Sequence, residues 1–347
     1  MLLQVEDPDA PGATLVDHTF SPTSLVIEAR SEVDRMERPV SLGADAQGTP
    51  FRTTFVWQAI VGLRDDQRVE TRWRVADDNG NLSAVRVASS LPALADAEPV
   101  WPALVSLADR TLSVGGRGRE VGFVDLERGE RRALLLDAPL WDSVESHALG
   151  GGDRFTVLWH ELDEDGFAHA RVAVATYDGF VTEPVTALAA LSQRATHLVL
   201  GESVWVASFE RTGLLGESRL RVARLDLPDL RHVEADWSFA GWGGLLPAGI
   251  KLVAWGGEPW LLWVTDDARF GSLAVVYAEP LSTESCAATT TSPVLVSSAT
   301  FDWSRRGVRG HLAAVSQEGA SGELYVAHTI GEAGAFDVHA LERDCVP

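Results

Sequence analysis

The sequence predicts an all-β fold, a β-propeller of four-stranded blades, and three observations lead there. Alternating apolar stretches joined by acidic or glycine-containing turns recur along the chain. The recurrence has a period of about 50 residues, which is the length of one four-stranded blade. No stretch carries the 3.6-residue apolar period of an amphipathic helix longer than about two turns.

The clearest copy is Phe155 to Gly179, FTVLWHELDEDGFAHARVAVATYDG. Successive side chains on a strand alternate faces, so Val157 and Trp159 share one side, as do Ala170, Val172 and Val174 on the returning strand. The turn Asp163 to Gly166 is built from residues that tolerate positive φ. Further copies read RWRVADDNGNLSAVRVA from Arg72, VWVASFERTGLLGESRLRVARL from Val204, WLLWVTDDARFGSLAVVYA from Trp260 and HLAAVSQEGASGELYVAH from His311, with a weaker one at Thr111 to Asp125.

Taken in order, residues 1–50 hold candidate strands at Thr14 to Phe20, Ser24 to Ala29 and Pro39 to Leu42. They read as a degenerate first blade or as an extension that closes the ring. Repeats follow at about 51–99, 100–139, 140–191, 192–241, 242–293 and 294–347, so residues 1–347 are read as one propeller domain. Seven blades are favoured and six are the alternative. Radial closure suits this pattern because it leaves only short, protected strand edges. In the 100–139 repeat, Gly115, Gly116 and Gly118 are placed in the first hairpin turn. GGRG there is not a phosphate-cradling loop, because no helix follows it.

In blade pattern, over most of its length, the chain resembles bacterial extracellular β-propellers. It lacks both the S-x-D-x-G-x-T-W turn box and the Gly-His and Trp-Asp pair of Trp-Asp repeats. The resemblance therefore implies fold alone, and function has to be argued from a site.

Fifty acidic residues stand against 29 basic ones, for a formal charge of −21. Such a surface repels phosphate backbones, so neither nucleic acid nor an anionic membrane is an expected partner. No apolar run reaches the ~20 residues needed to cross a bilayer, and a soluble monomer is expected. The two cysteines, Cys286 and Cys345, are predicted to form a disulfide that staples the chain end. That bridge, with an N-terminal stretch resembling a mature terminus, points to an extracellular, periplasmic or cell-surface location.

Chemistry is sparsely signalled. The acidic turns Asp77-Asp78-Asn79, Asp163-Glu164-Asp165 and Asp266-Asp267 offer calcium its oxygen donors, but no calcium-loop spacing is present. Calcium is thus the one candidate cofactor, and no metal site is predicted. His160, His169, His311 and His328 lie in or beside strands, and none is paired at a spacing such as H-x-x-x-H. There is no G-x-S-x-G elbow, whereas a pair of carboxylates for glycoside cleavage is set by the fold and leaves no fixed spacing.

The 12 tryptophans are more informative. Trp73, Trp159, Trp205, Trp260 and Trp263 stand mid-strand and are expected in the core. Trp101, Trp141 and Trp242 stand at repeat junctions, where an aromatic face stacks on a sugar ring or a peptide. The expectation is a non-catalytic, secreted or surface-tethered binding propeller for a carbohydrate or protein partner. The alternatives are a glycan-active hydrolase or lyase with its site at the channel mouth, and a structural subunit of an envelope or appendage assembly.

Overall fold

The computed structural model describes residues 2–6, 13–21, 24–33, 37–44, 53–61, 68–76, 83–92, 100–150, 152–162, 164, 168–188, 192–211, 218–233, 237–239, 249–267, 273–281, 294–300, 312–316, 324–330 and 335–341. Every regular element among them is a β-strand, as the alternating pattern predicts. The chain falls into two compact units, residues 1–166 with 171–185 and residues 167–170 with 186–347.

In unit 1, β1 (Leu2–Glu6), β2 (Ala13–Ser21) and β3 (Ser24–Val33) form one antiparallel sheet. A second contains β4 (Glu37–Ala44), β5 (Thr53–Val61), β6 (Arg68–Ala76) and β7 (Arg86–Pro92), so it begins inside the first 50 residues. Next come β8 (Val100–Ser106), β9 (Thr111–Arg117), β10 (Glu120–Asp125) and β11 (Arg131–Leu135) as an antiparallel meander. Another meander follows as β12 (Leu140–Ala148), β13 (Phe155–Leu162), β14 (Ala168–Thr176) and β15 (Gly179–Phe180), with β16 (Val185–Leu188) also on β14. The two meanders join where β8 and β12 run parallel through the pair Trp101 and Ser143.

Gly115 and Gly116 are not turn residues. They lie inside β9, buried and paired with Gly122 and Val121, and only Gly118 occupies the turn, at φ 56°. A side chain at Gly116 would meet Leu140 and the Glu120 carbonyl oxygen, so the glycine is there for close approach rather than for a bend.

Unit 1 is held by apolar faces stacked sheet on sheet. Leu112, Val114, Val121 and Phe123 of one meander pack on Phe155, Val157, Trp159, Ala173 and Ala175 of the other. Phe123 meets Phe155 edge to face at 5.2 Å. The opposite face of the first meander, through Leu104 and Val124, packs on Val56, Trp73 and Ala88 of the preceding sheet.

In unit 2, β17 (Ser192–Leu200), β18 (Ser203–Arg211), β19 (Ser218–Asp226), β20 (Arg231–His232) and β21 (Trp237–Phe239) form one sheet. The next sheet is β22 (Gly249–Trp255), β23 (Glu258–Asp267), β24 (Leu273–Pro280) and β25 (Val294–Thr300). The last is β26 (Leu312–Ser316), β27 (Leu324–Ile330) and β28 (Ala335–Leu341). Asp266 and Asp267 lie within β23, paired with Ala274 and Leu273, rather than in the turn assigned to them above. Trp205, Ala207, Phe209, Leu220 and Val222 of the first sheet pack on Leu252, Leu261, Trp263 and Leu281 of the second. The mid-strand tryptophans Trp73, Trp159, Trp205, Trp260 and Trp263 are all buried.

A common relation links these sheets within each unit: the first strand of one lies beside the first strand of the next. β4 neighbours β8 and β8 neighbours β12 in unit 1, while β17 neighbours β22 and β22 neighbours β26 in unit 2.

Candidate functional site

Two places carry chemistry, one in each unit. In unit 2 it is Glu279, next to the last residue of β24. It pairs with Leu261, which in turn pairs with Leu252, so the three side chains share one strand face. That face is the apolar one packed against β17 to β21. The Glu279 carboxyl is half-buried there, and desolvation alone raises it from 4.5 to about 7. Among the described residues the β24 to β25 ladder reaches Ala278 and Val294, one residue before Glu279. A carboxyl so placed keeps its proton near neutrality and can deliver it.

In unit 1 the polar residues gather on β12 and β13. Glu145 pairs with Leu158 and His147 with Thr156 in regular register, so Glu145 and His147 share a face. A carboxylate oxygen of Glu145 and a ring nitrogen of His147 lie within 4.8 Å of each other. Val144, Val157 and Trp159 point the other way, into the core of unit 1. Thr156 and His160, on the same face as Glu145 and His147, are buried, and the Thr156 hydroxyl donates to the His147 carbonyl at 3.3 Å. The sequence signal for this pair is Glu-x-His, the spacing of two that a strand requires. A search for the helical spacing H-x-x-x-H passes over it.

A third cluster surrounds Tyr177. The guanidinium carbons of Arg110 and Arg132 lie 4.8 and 5.7 Å from its ring centroid. Burial pushes its hydroxyl up from 10.0, with the charge of Glu130 adding to the effect. The hydrogen bond from Arg110 holds the exposed Asp109 carboxyl below its usual range. Nearby, Asp125 closes the turn into β11, its Oδ1 accepting from the Glu127 and Arg128 amides at 3.0 and 2.9 Å. This cluster is scaffolding: an ion pair in the turn between β8 and β9, arginines against the Tyr177 ring, and an Asx turn between β10 and β11.

Among the residues singled out from the sequence, Trp101 lies on β8 and Trp141 on β12, where Trp141 pairs with His160. Only their backbones are described. Trp242, Cys286, Cys345, His311 and the turn Asp77-Asp78-Asn79 lie outside the described residues, as do Asp163 and Asp165. His160 is buried and His169 half-buried, both in strands as expected.

The chain matches no protein family and no curated protein. Among solved structures it is similar to a Bacteroides ovatus protein titled xyloglucan PUL GH43B, at 10% identity and TM-score 0.40, over 70% of this chain and 51% of that one. The chain thus spans about half the length of that relative. A GH43 beta-xylosidase/alpha-arabinofuranosidase from a compost microbial metagenome, in complex with xylotriose, is 10% identical with TM-score 0.45, over 88% of this chain and 91% of that one. A dihydro-heme d1 dehydrogenase is 11% identical with TM-score 0.44, over 99% of this chain and 73% of that one.

Likeness this distant transfers no residue and no reaction. The expectation of a non-catalytic binding propeller is corrected to its alternative, a glycan-active enzyme, which is taken up below; the carbohydrate-related structures found are titled as xylosidases and arabinofuranosidases. Trp73, Trp159, Trp205, Trp260 and Trp263 are buried, as expected of core residues, whereas the side chains of Trp101, Trp141 and Trp242, on which the binding expectation rested, lie outside what the structure describes.

Proposed function

We propose that the chain is a glycan-active hydrolase and that Glu279 is its proton donor. The observation that carries this reading is the seat of Glu279, half-buried on an apolar strand face in line with Leu261 and Leu252. Glycoside cleavage needs one carboxylic acid still protonated at working pH to give its proton to the leaving-group oxygen. Burial supplies that state, and partial exposure keeps the acid within reach of a substrate.

The fold supports the reading in outline. Within each unit, antiparallel sheets succeed one another with their first strands side by side, which is the packing of propeller blades. We read the five separate sheets and the joined pair of meanders among the described residues as seven such blades. The substrate is then a carbohydrate.

The test is hydrolysis of a panel of aryl glycosides, pentosides included, by wild type and Glu279→Gln. A general acid matters most when the leaving group is poor. Glu279→Gln is therefore expected to lose about 100-fold or more on unactivated oligosaccharides while cleaving dinitrophenyl glycosides at near wild-type rates. Wild-type activity should fall as pH rises through about 7. Equal losses on both leaving-group classes, or no hydrolysis by wild type, sinks the assignment.

A further inference from the structure

The pairing of an imidazole with a carboxylate on one strand face is what metal sites are made of. Glu145 and His147 sit two residues apart on β12, in unbroken register with β13, so both side chains leave the same face. Their ligand atoms are within 4.8 Å. Metal bonds of about 2 Å place two ligand atoms no more than about 4 Å apart, so a small side-chain rotation closes the pair on one ion.

The surroundings are suitable. Both residues are half-buried, and the strand beneath them is fixed by the apolar contacts of Val144, Val157 and Trp159 on its other side. Buried Thr156 and His160 add polar positions to this face on either side of buried Leu158, the partner of Glu145. β12 is the first strand of its meander and meets β8 in parallel at Ser143 and Trp101.

We propose that Glu145 and His147 are two ligands of a divalent transition-metal site, with zinc the best match. One nitrogen and one oxygen donor suit zinc and its neighbours, whereas calcium takes oxygen donors throughout. Water can fill positions the two side chains leave open. The inference stands apart from the hydrolase reading, since Glu279 takes no part in it and metal binding is measured without any substrate.

The test is calorimetric titration of chelator-treated protein with zinc chloride. Wild type should bind one zinc per chain, and His147→Ala and Glu145→Ala should each weaken binding at least tenfold. His232→Ala, which alters an exposed imidazole bonded to the Thr186 carbonyl, should bind as wild type does. No zinc binding by wild type, or equal binding by all variants, overturns the site. Copper-loaded wild type provides a check that needs no variant: pulsed electron paramagnetic resonance should show imidazole nitrogen coupling. A spectrum with oxygen ligands only overturns the proposal even if the variants fail to fold.

Discussion

Glu279 and Leu261 are direct partners across β24 and β23, so a carboxyl shares its strand face with a side chain that has no exposure at all. The consequence for stability has a definite sign. The folded state holds the Glu279 proton up to about 7, while the unfolded chain releases it near 4.5. Between those values the native state binds more protons, so its stability falls as pH rises and levels off above about 7. Allowing for the partial exposure of the group, the loss is about 1–2 kcal/mol. Urea unfolding at pH 5 and pH 8 should show wild type losing that much more than Glu279→Gln. Parallel pH dependence in the two proteins contradicts the placement of the carboxyl.

Trp159 is a second point of leverage. It has no exposure, stacks on Phe180 at 5.4 Å between centroids and 8° between planes, and donates its indole N–H to Glu161 Oε1 at 2.8 Å. Glu161 is also 3.5 Å from Arg171 Nε. Trp159→Ala should cost about 3–5 kcal/mol by lost burial and the cavity left behind. Glu161→Leu should cost about 1–3 kcal/mol, because the buried indole then loses its acceptor, whereas Glu161→Gln keeps one and should cost less. Denaturant melts of the three variants would rank them.

Both residues show what was legible in the sequence. Strand alternation around Val157 and Trp159 was enough to place them in the core, because period two is a local property of the backbone. Glu161 as the partner of Trp159 was also within reach, since residues two apart share a face. The environment of Glu279 was not, because it depends on Leu252 and Leu261 from neighbouring strands and on a sheet packed above them. Glu145 and His147 are legible as Glu-x-His, the two-residue spacing of a strand, which the helical pattern H-x-x-x-H does not contain. The glycines of β9 were misplaced for a related reason: glycine marks both turns and close approach, and only the position of Leu140 separates the two.

Asp125 gives a prediction about a turn. Its Oδ1 takes two backbone amides, from Glu127 and Arg128, and the side chain is 1% exposed. Removing it orphans both donors and loosens the entry to β11. Asp125→Ala should cost about 1–2 kcal/mol, and Asp125→Asn, which keeps a side-chain oxygen at the same place, about half that or less. If thermal melts show the alanine variant to be as stable as wild type, the turn does not depend on this carboxylate.

Gly116 separates close approach from chain flexibility. A β-carbon there would sit 2.5 Å from the Glu120 carbonyl oxygen and would also run into the Leu140 side chain. Leu140 can turn aside, but the carbonyl belongs to the β9 to β10 ladder and moves only if the strands part. Gly116→Ala should therefore cost about 3 kcal/mol, the scale of overpacking in a closed core. Gly152 is the control: a β-carbon there meets nothing within 4 Å, so Gly152→Ala should change stability by less than about 0.5 kcal/mol. Pairing Gly116→Ala with Leu140→Ala decides which contact dominates. Recovery in the double variant would assign the cost to Leu140, and none would assign it to the Glu120 carbonyl, as the backbone geometry requires.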